Sequence, residues 1–488
     1  MNAEHVRTLG KRGTQFFSTS SGHLTIILIC ASFLLFYRLG ELKLDKDEAL
    51  IVVWATEVHE NAPTWTDLGR RIIAERGYYK TWLYPGLNIY LIDISFRLFG
   101  QSPWAARLPS ALIGLLTIPA FYLVARRLLA NPTAALIGTI LLASSAPLLF
   151  LMRQCRYTSL TIFAGLWLVW AYLDLMDRKR SGVWHGLGAT ILFYNATFYL
   201  FLPVLLSLGL HGLLYTRGTF RRNLLLAIAG TLGLVVFLAP SLRLSASRIG
   251  TDLILAFSQN QIAILYKLST CVSELNLFGL PFLVIPIYLW ACSTRNDGRW
   301  ITWTAAGLAI GYLVLGDPAG QWVLREGFGG IIDWVVPSLS PWLFNRLVDY
   351  RSWLLLGFAA TLLLCYRQLQ TPETRYSLSI PILLIFGILF TYCIIPTFRM
   401  PWTRYLANPL VASFLLGGFL LSGIMTRSRL LAILLLVAHV TTNLLSVLPF
   451  TPEHYPYLQW KLPHWGHRLL TGDPVAETIT NFIRLPPL

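Results

Sequence analysis

Asp45, Asp47 and Glu48 put three carboxylates within four residues, just past an uncharged stretch between Arg12 and Arg38. A carboxylate so placed can take a proton from a hydroxyl nucleophile. Adjacent helical positions point about 100° apart, so on a helix only one of Asp47 and Glu48 can face a given reacting atom. Asp47 is equally placed as the N-cap of an amphipathic helix starting at Glu48, and local sequence alone favours that cap. Two further segments carry arginine with no acid beside it. One holds Arg153, Arg156 and Tyr157, the other Arg399, Arg404 and Tyr405. A guanidinium fork matches the oxygens of a phosphate, and an arginine beside a bilayer core usually has a partner. For any one of them, snorkelling to an ordinary lipid headgroup is the alternative. Two clusters on one membrane face favour a bound anion.

The elements that must carry these residues follow from composition. Of 488 residues 55% are apolar and 13% charged, about half the charged share of a soluble domain. The expected fold is therefore an all-α integral membrane protein. Disordered, collagen-like and disulfide-stapled chains are excluded, since six scattered cysteines form no framework. Apolar runs long enough to span predict about thirteen crossings: an uncleaved first helix around 24–36, then 107–125, 133–151, 157–176, 183–201, 203–216, 223–241, 275–291, 300–315, 351–366, 376–395, 404–424 and 430–448. Residues 85–99 contain Asn88, Asp93 and Arg97 and are short, which predicts an interfacial helix that does not cross. With that assignment the cytoplasmic segments hold seventeen basic residues against four acids, as the positive-inside rule requires. The net charge of +16 is thus a topology signal and gives no support to nucleic acid as a partner. The expected division is one membrane domain, 1–448, with its first outer loop at 39–106, and a short outer tail at 449–488.

Other motifs carry less. His454, His464 and His467 lack zinc-ligand spacing, and Asn195-Ala196-Thr197 lies at the end of an apolar run. Gly327, Gly329 and Gly330 lack a phosphate-loop lysine. Trp300, Trp342 and Trp402 read as an aromatic belt at span ends. Asp47 and Glu48 with His59 are compatible with a divalent ion, although no spacing demands one.

The order of motifs is informative. Asp47-Glu48-Ala49 is followed by Tyr84-Pro85-Gly86-Leu87, Leu98-Phe99-Gly100 and Arg107-Leu108-Pro109-Ser110-Ala111-Leu112, then by the Arg153 to Tyr157 turn and Arg404-Tyr405-Leu406. This set resembles the GT-C superfamily of polytopic glycosyltransferases, in its branch of protein O-mannosyltransferase-like and lipid A aminoarabinose transferase-like enzymes. The resemblance covers roughly residues 24 to 425. The aminoarabinose transferases carry Glu-Lys before the proline of the loop motif, where this chain has Leu83 and Tyr84.

What the resemblance implies is sugar transfer, with inversion, from a polyprenyl-phosphate carrier to a lipid, glycan or protein acceptor on the outer face of the plasma (inner) membrane. The N-terminus would be cytoplasmic and the C-terminus outside. Asp47 falls on the catalytic acid position, which reverses the preference for a mere cap, with Glu48 assisting. Arg153, Arg156, Tyr157, Arg399, Arg404, Tyr405, Tyr84 and Arg107 are the expected substrate-binding residues. A transporter of a lipid-linked sugar is the rival reading. It should place ionisable residues deep in its spans, and very few are found there.

Overall fold

The computed structural model describes residues 20–41, 46–74, 86–196, 198–216, 284–292, 297–311 and 407–447, with isolated positions at 44, 218–230, 275 and 379–387. Among the described residues there are helices and no strand. They are α1 (Ser20–Phe36), α2 (Lys46–Asn61), α3 (Trp65–Ala74), α4 (Gly86–Phe99), α5 (Pro103–Leu129), α6 (Pro132–Ser144) and α7 (Ala146–Arg153). There follow α8 (Thr158–Met176), α9 (Ser181–Ala196), α10 (Phe198–Tyr215), α11 (Val284–Cys292), α12 (Asp297–Gly311), α13 (Ala407–Arg427) and α14 (Arg429–Val447).

Helices α5, α8 and α13 are each long and apolar enough to cross a membrane. The expected run 133–151 is not one straight span. It is α6 and α7, bent by 60° at Ser145. The cause is local: Pro147 near the start of α7 has no N–H, and its ring would strike the carbonyl four residues back in a continuous helix. Helix α4 has 14 residues, about 21 Å, too short for a 30 Å hydrocarbon core. Helix α9 is described to Ala196 and α10 from Phe198, and Pro203 lies inside α10. The expected span 351–366 and the tail 449–488 lie outside the described residues, as do most of 223–241 and 376–395.

Helix boundaries follow the sequence closely. Ser102 caps α5 by accepting the Ala105 N–H at 3.1 Å, with Pro103 in the first turn. Ala130 then turns the chain in a left-handed conformation (φ 50°), and Asn131 caps α6 through the Thr133 and Ala134 N–H groups. This two-residue corner folds α6 back against α5.

Two apolar cores result. The larger is shared among the long helices. In it α6 and α13 cross so closely that a Cβ on Gly138 would lie 2.9 Å from the Phe414 carbonyl oxygen, and one on Gly418 would strike the Ala134 carbonyl. The smaller core belongs to the first loop. Ile51, Ala55 and Val58 of α2, Leu68 of α3 and Ile89, Ile92 and Phe96 of α4 close over Ala105 and Ala106 of α5 and over Cys155. The loop is thereby seated on one end of the bundle.

Ion pairs mark the opposite end. Arg127, at the end of α5, meets Asp174 at 2.7 Å and Asp177 at 2.6 Å, and stacks on Trp170. Arg427 likewise lies against the Trp290 ring at the end of α11. Arg107 and Arg126 are separated by nineteen residues of one helix, about 28 Å, so the loop and the basic end lie a bilayer apart along α5.

Candidate active site

Helix α2 begins at Lys46, two residues before the expected start, so Asp47 lies in its first turn and is not its cap. Negative charge in a first turn suits the helix dipole. The neighbouring carboxylates diverge as the 100° step requires. Glu48 turns inward and is 2% exposed. Its Oε1 accepts from Arg107 Nε at 3.0 Å and from the Cys155 backbone N–H at 2.9 Å, and its Oε2 accepts from Arg107 Nη2 at 2.8 Å. Arg107 also donates through Nη1 to the Leu39 carbonyl at 3.1 Å. Such a buried, bidentate pair holds three elements together: α2, the start of α5 and the turn after α7.

Asp47 turns the other way. Its side chain is 47% exposed, and its Oδ2 lies 2.8 Å from Nη2 of Arg156, which is 8% exposed. The first arginine cluster and the acid, far apart in sequence, therefore meet. Arg156 stands on a turn whose backbone is tied down from three directions. Glu48 accepts the Cys155 N–H, Asn88 of α4 donates to the Cys155 carbonyl at 3.0 Å, and Ser110 of α5 donates to the Arg156 carbonyl at 3.1 Å. The sequence reading gives Asn88 and Ser110 no role, although both lie in segments it singles out. The only signal was a polar residue on an otherwise apolar helix face.

Arg153 points elsewhere than expected. Its Nη1 donates to the Leu34 carbonyl at 2.6 Å and its Nη2 to the Tyr37 carbonyl at 2.7 Å, so it closes the C-terminal end of α1. A guanidinium there satisfies orphan carbonyls and opposes the negative end of the helix dipole. Tyr157 heads α8, and its carbonyl accepts from the Thr161 hydroxyl at 3.0 Å. Arg107, expected to meet substrate, is instead committed to Glu48 and Leu39. Tyr84, Arg399, Arg404 and Tyr405 lie outside the described residues.

His59 is turned away from the acid pair. It lies twelve residues beyond Asp47 on α2, about 18 Å along the axis, and its Nδ1 is 2.9 Å from Asp93 Oδ1. Asp47 and His59 therefore cannot share one ion. Asp93, fully buried, also accepts from Arg97 Nε at 2.8 Å, and Arg97 reaches the Ala62 and Pro63 carbonyls at the end of α2. This cluster braces α2 against α4. Among the described residues no three His, Cys, Asp or Glu side chains gather as a metal site.

The arrangement defines a polytopic membrane protein with an exposed acid paired to a buried guanidinium at one end of its bundle. Residues 85–242 match the family model described as dolichyl-phosphate-mannose-protein mannosyltransferase, so the resemblance to GT-C glycosyltransferases holds over that segment. It includes Asn88, Arg107 and the 153–157 turn but stops short of Asp47 and Glu48. Among solved structures the chain is similar to ArnT from Cupriavidus metallidurans bound to undecaprenyl phosphate. The identity is 14%, over 95% of this chain and 73% of that chain, with a TM-score of 0.37. No curated protein matches.

Proposed function

We propose that this protein is a membrane glycosyltransferase that moves a sugar from a polyprenyl-phosphate carrier to an acceptor hydroxyl, with Asp47 as the general base. The observation that carries the reading is the division of labour between neighbouring carboxylates. Glu48 is saturated by Arg107 and Cys155, while Asp47 is half exposed beside Arg156. In the reaction the acceptor oxygen attacks the anomeric carbon from the face opposite the phosphate, and its proton passes to Asp47. The bond from carbon to phosphate oxygen breaks, and the electron pair leaves with the polyprenyl phosphate. The attack inverts the anomeric centre. Arg156 stabilises the charge on the departing phosphate, as preorganised cations do. By competing for Arg156, a bound phosphate frees the Asp47 carboxylate for its proton. Arg399, Arg404, Tyr405 and Tyr84 complete the donor site in this reading, with about thirteen crossings around it.

The outer face of the plasma membrane is the proposed location. The seventeen basic residues of the short loops belong inside by the positive-inside rule, and the Asp47 end of α5 is about 28 Å from that basic end. The test is transfer by the purified chain in lipid nanodiscs, with synthetic polyprenyl-phosphate sugars as donors. Asp47→Asn should fold, since the residue is half exposed, yet lose at least about 100-fold in kcat. Near-normal transfer by Asp47→Asn would remove the base from this carboxylate.

A further inference from the structure

We propose that Asn443, on α14, is a positioning residue for the 153–157 turn: it caps α7 from a neighbouring helix and so fixes the strut that carries the turn. The catalytic side of this inference rests on the function proposed above. Where α6 breaks, Ser145 is extended (φ −66°, ψ 110°) and its buried hydroxyl makes no cap bond. Pro147 has no N–H to offer. The Ala146 N–H is left as a donor inside the apolar bundle, where no water replaces a missing partner. Asn443 Oδ1 accepts it at 3.0 Å, across 297 residues of sequence. The amide's other side, Nδ2, donates to the His439 carbonyl at 3.0 Å one turn back on α14, which fixes the orientation that offers the oxygen. Asn443 itself is 5% exposed.

The strut has eight residues, about 12 Å, and is held along its whole length. At the far end Arg153 is bonded to the carbonyls of α1. Beside that anchor, Met152 packs so tightly on α5 that a Cβ at Gly114 would sit 2.7 Å from its Cβ. With both ends fixed, α7 delivers Cys155 to Glu48 and Arg156 to Asp47 in one geometry. Releasing the Asn443 end lets α7 tilt about its Arg153 anchor, and the turn then opens more often.

The turn contains its own reporter. The Cys155 thiol is fully buried, so alkylation by N-ethylmaleimide requires the turn to open. In the full chain in nanodiscs, with the Cys155 peptide followed by mass spectrometry, Asn443→Ala should label about 5-fold faster or more, the ratio expected for loss of one helix cap. Thr441→Ala, at an exposed position of the same helix, should change nothing. Asn443→Leu has nearly the size of asparagine and no acceptor, so it cuts the same bond without leaving a void, and it serves if Asn443→Ala fails to fold. Faster labelling in Asn443→Ala or Asn443→Leu, with a lower kcat and little change in donor KM, supports the proposal. Unchanged labelling in either folded variant overturns it. Labelling needs no turnover, so failure of the glycosyltransferase reading would show separately, as transfer that survives Asp47→Asn.

Discussion

Removing Glu48 should damage the fold more than removing both members of its buried pair. The Glu48 carboxylate accepts three bonds, two from Arg107 and one from the Cys155 N–H, and both side chains are almost wholly buried. Glu48→Leu strips Arg107 of this carboxylate, while the Leu39 carbonyl still accepts from Nη1. Breaking a buried pair in this way costs about 3–5 kcal/mol, and the orphaned Cys155 N–H adds to it within its own range of about 1–3 kcal/mol. Against a total stability of about 5–15 kcal/mol that is a large share. Arg107→Met should cost a similar amount. The double variant removes both charges, so it should recover about 3 kcal/mol or more of the summed losses and retain mainly the cost of the Cys155 N–H. Denaturant unfolding in nanodiscs, followed by circular dichroism, measures the cycle. Added salt should leave the result unchanged, because the pair is shielded from solvent. Additivity within about 0.5 kcal/mol would refute the reasoning, since it would mean the two charges do not sense one another. Transfer by the double variant separates stability from position: a chain that regains stability but not rate would show that the pair also aims the turn.

Two other outcomes are expected. Gly418→Leu should destabilise the bundle by about 2 kcal/mol or more, because any Cβ there meets the Ala134 carbonyl of α6; a thermal midpoint equal to that of the unaltered chain would contradict the crossing. In the first loop, the hydrogen bond from the Thr64 hydroxyl holds the Asp67 carboxyl below its ordinary range. Its folded pKa is depressed, so the contribution to α3 is present above the unfolded value of about 3.9 and is lost as pH falls through the folded value. Amide exchange in α3, corrected for intrinsic rate, should therefore quicken at acid pH, and Asp67→Asn should remove that extra dependence.

What was legible in the sequence was whatever is set by local chemistry. The apolar runs at 107–125 and 133–151 located α5 and α6, whose starts are set by caps at Ser102 and Asn131 that the run lengths alone did not mark, and the short polar-bearing run at 85–99 located the 14-residue α4. The choice of Asp47 and Glu48, and of the 153–157 turn, came from residue types that are expensive at a membrane edge. Partners were not legible, because they are fixed by tertiary packing across long separations. Nothing near Arg107 in the sequence says that it will close on Glu48, and nothing near Arg153 says that it will end α1. His59 was grouped with the acids by closeness along the chain, yet twelve residues of helix carry it away and Asp93 claims it. The bend at Ser145 had a signal in Pro147, masked by the unbroken apolar run around it.

The geometry also explains why an exposed carboxylate can be aimed at all. A half-exposed aspartate on a loop would ordinarily sample several orientations and lose the advantage of proximity. Here its direction is inherited. Glu48 is locked inward by three bonds, so the 100° helical step fixes where Asp47 must point. Arg156 inherits its direction in the same way, from a turn whose carbonyls and N–H are held by Asn88, Ser110 and Glu48. The acid and the guanidinium it meets are thus positioned by buried residues behind them. Mutations in the buried set should therefore lower turnover without contacting substrate, whereas mutations of Asp47 should leave the buried set intact.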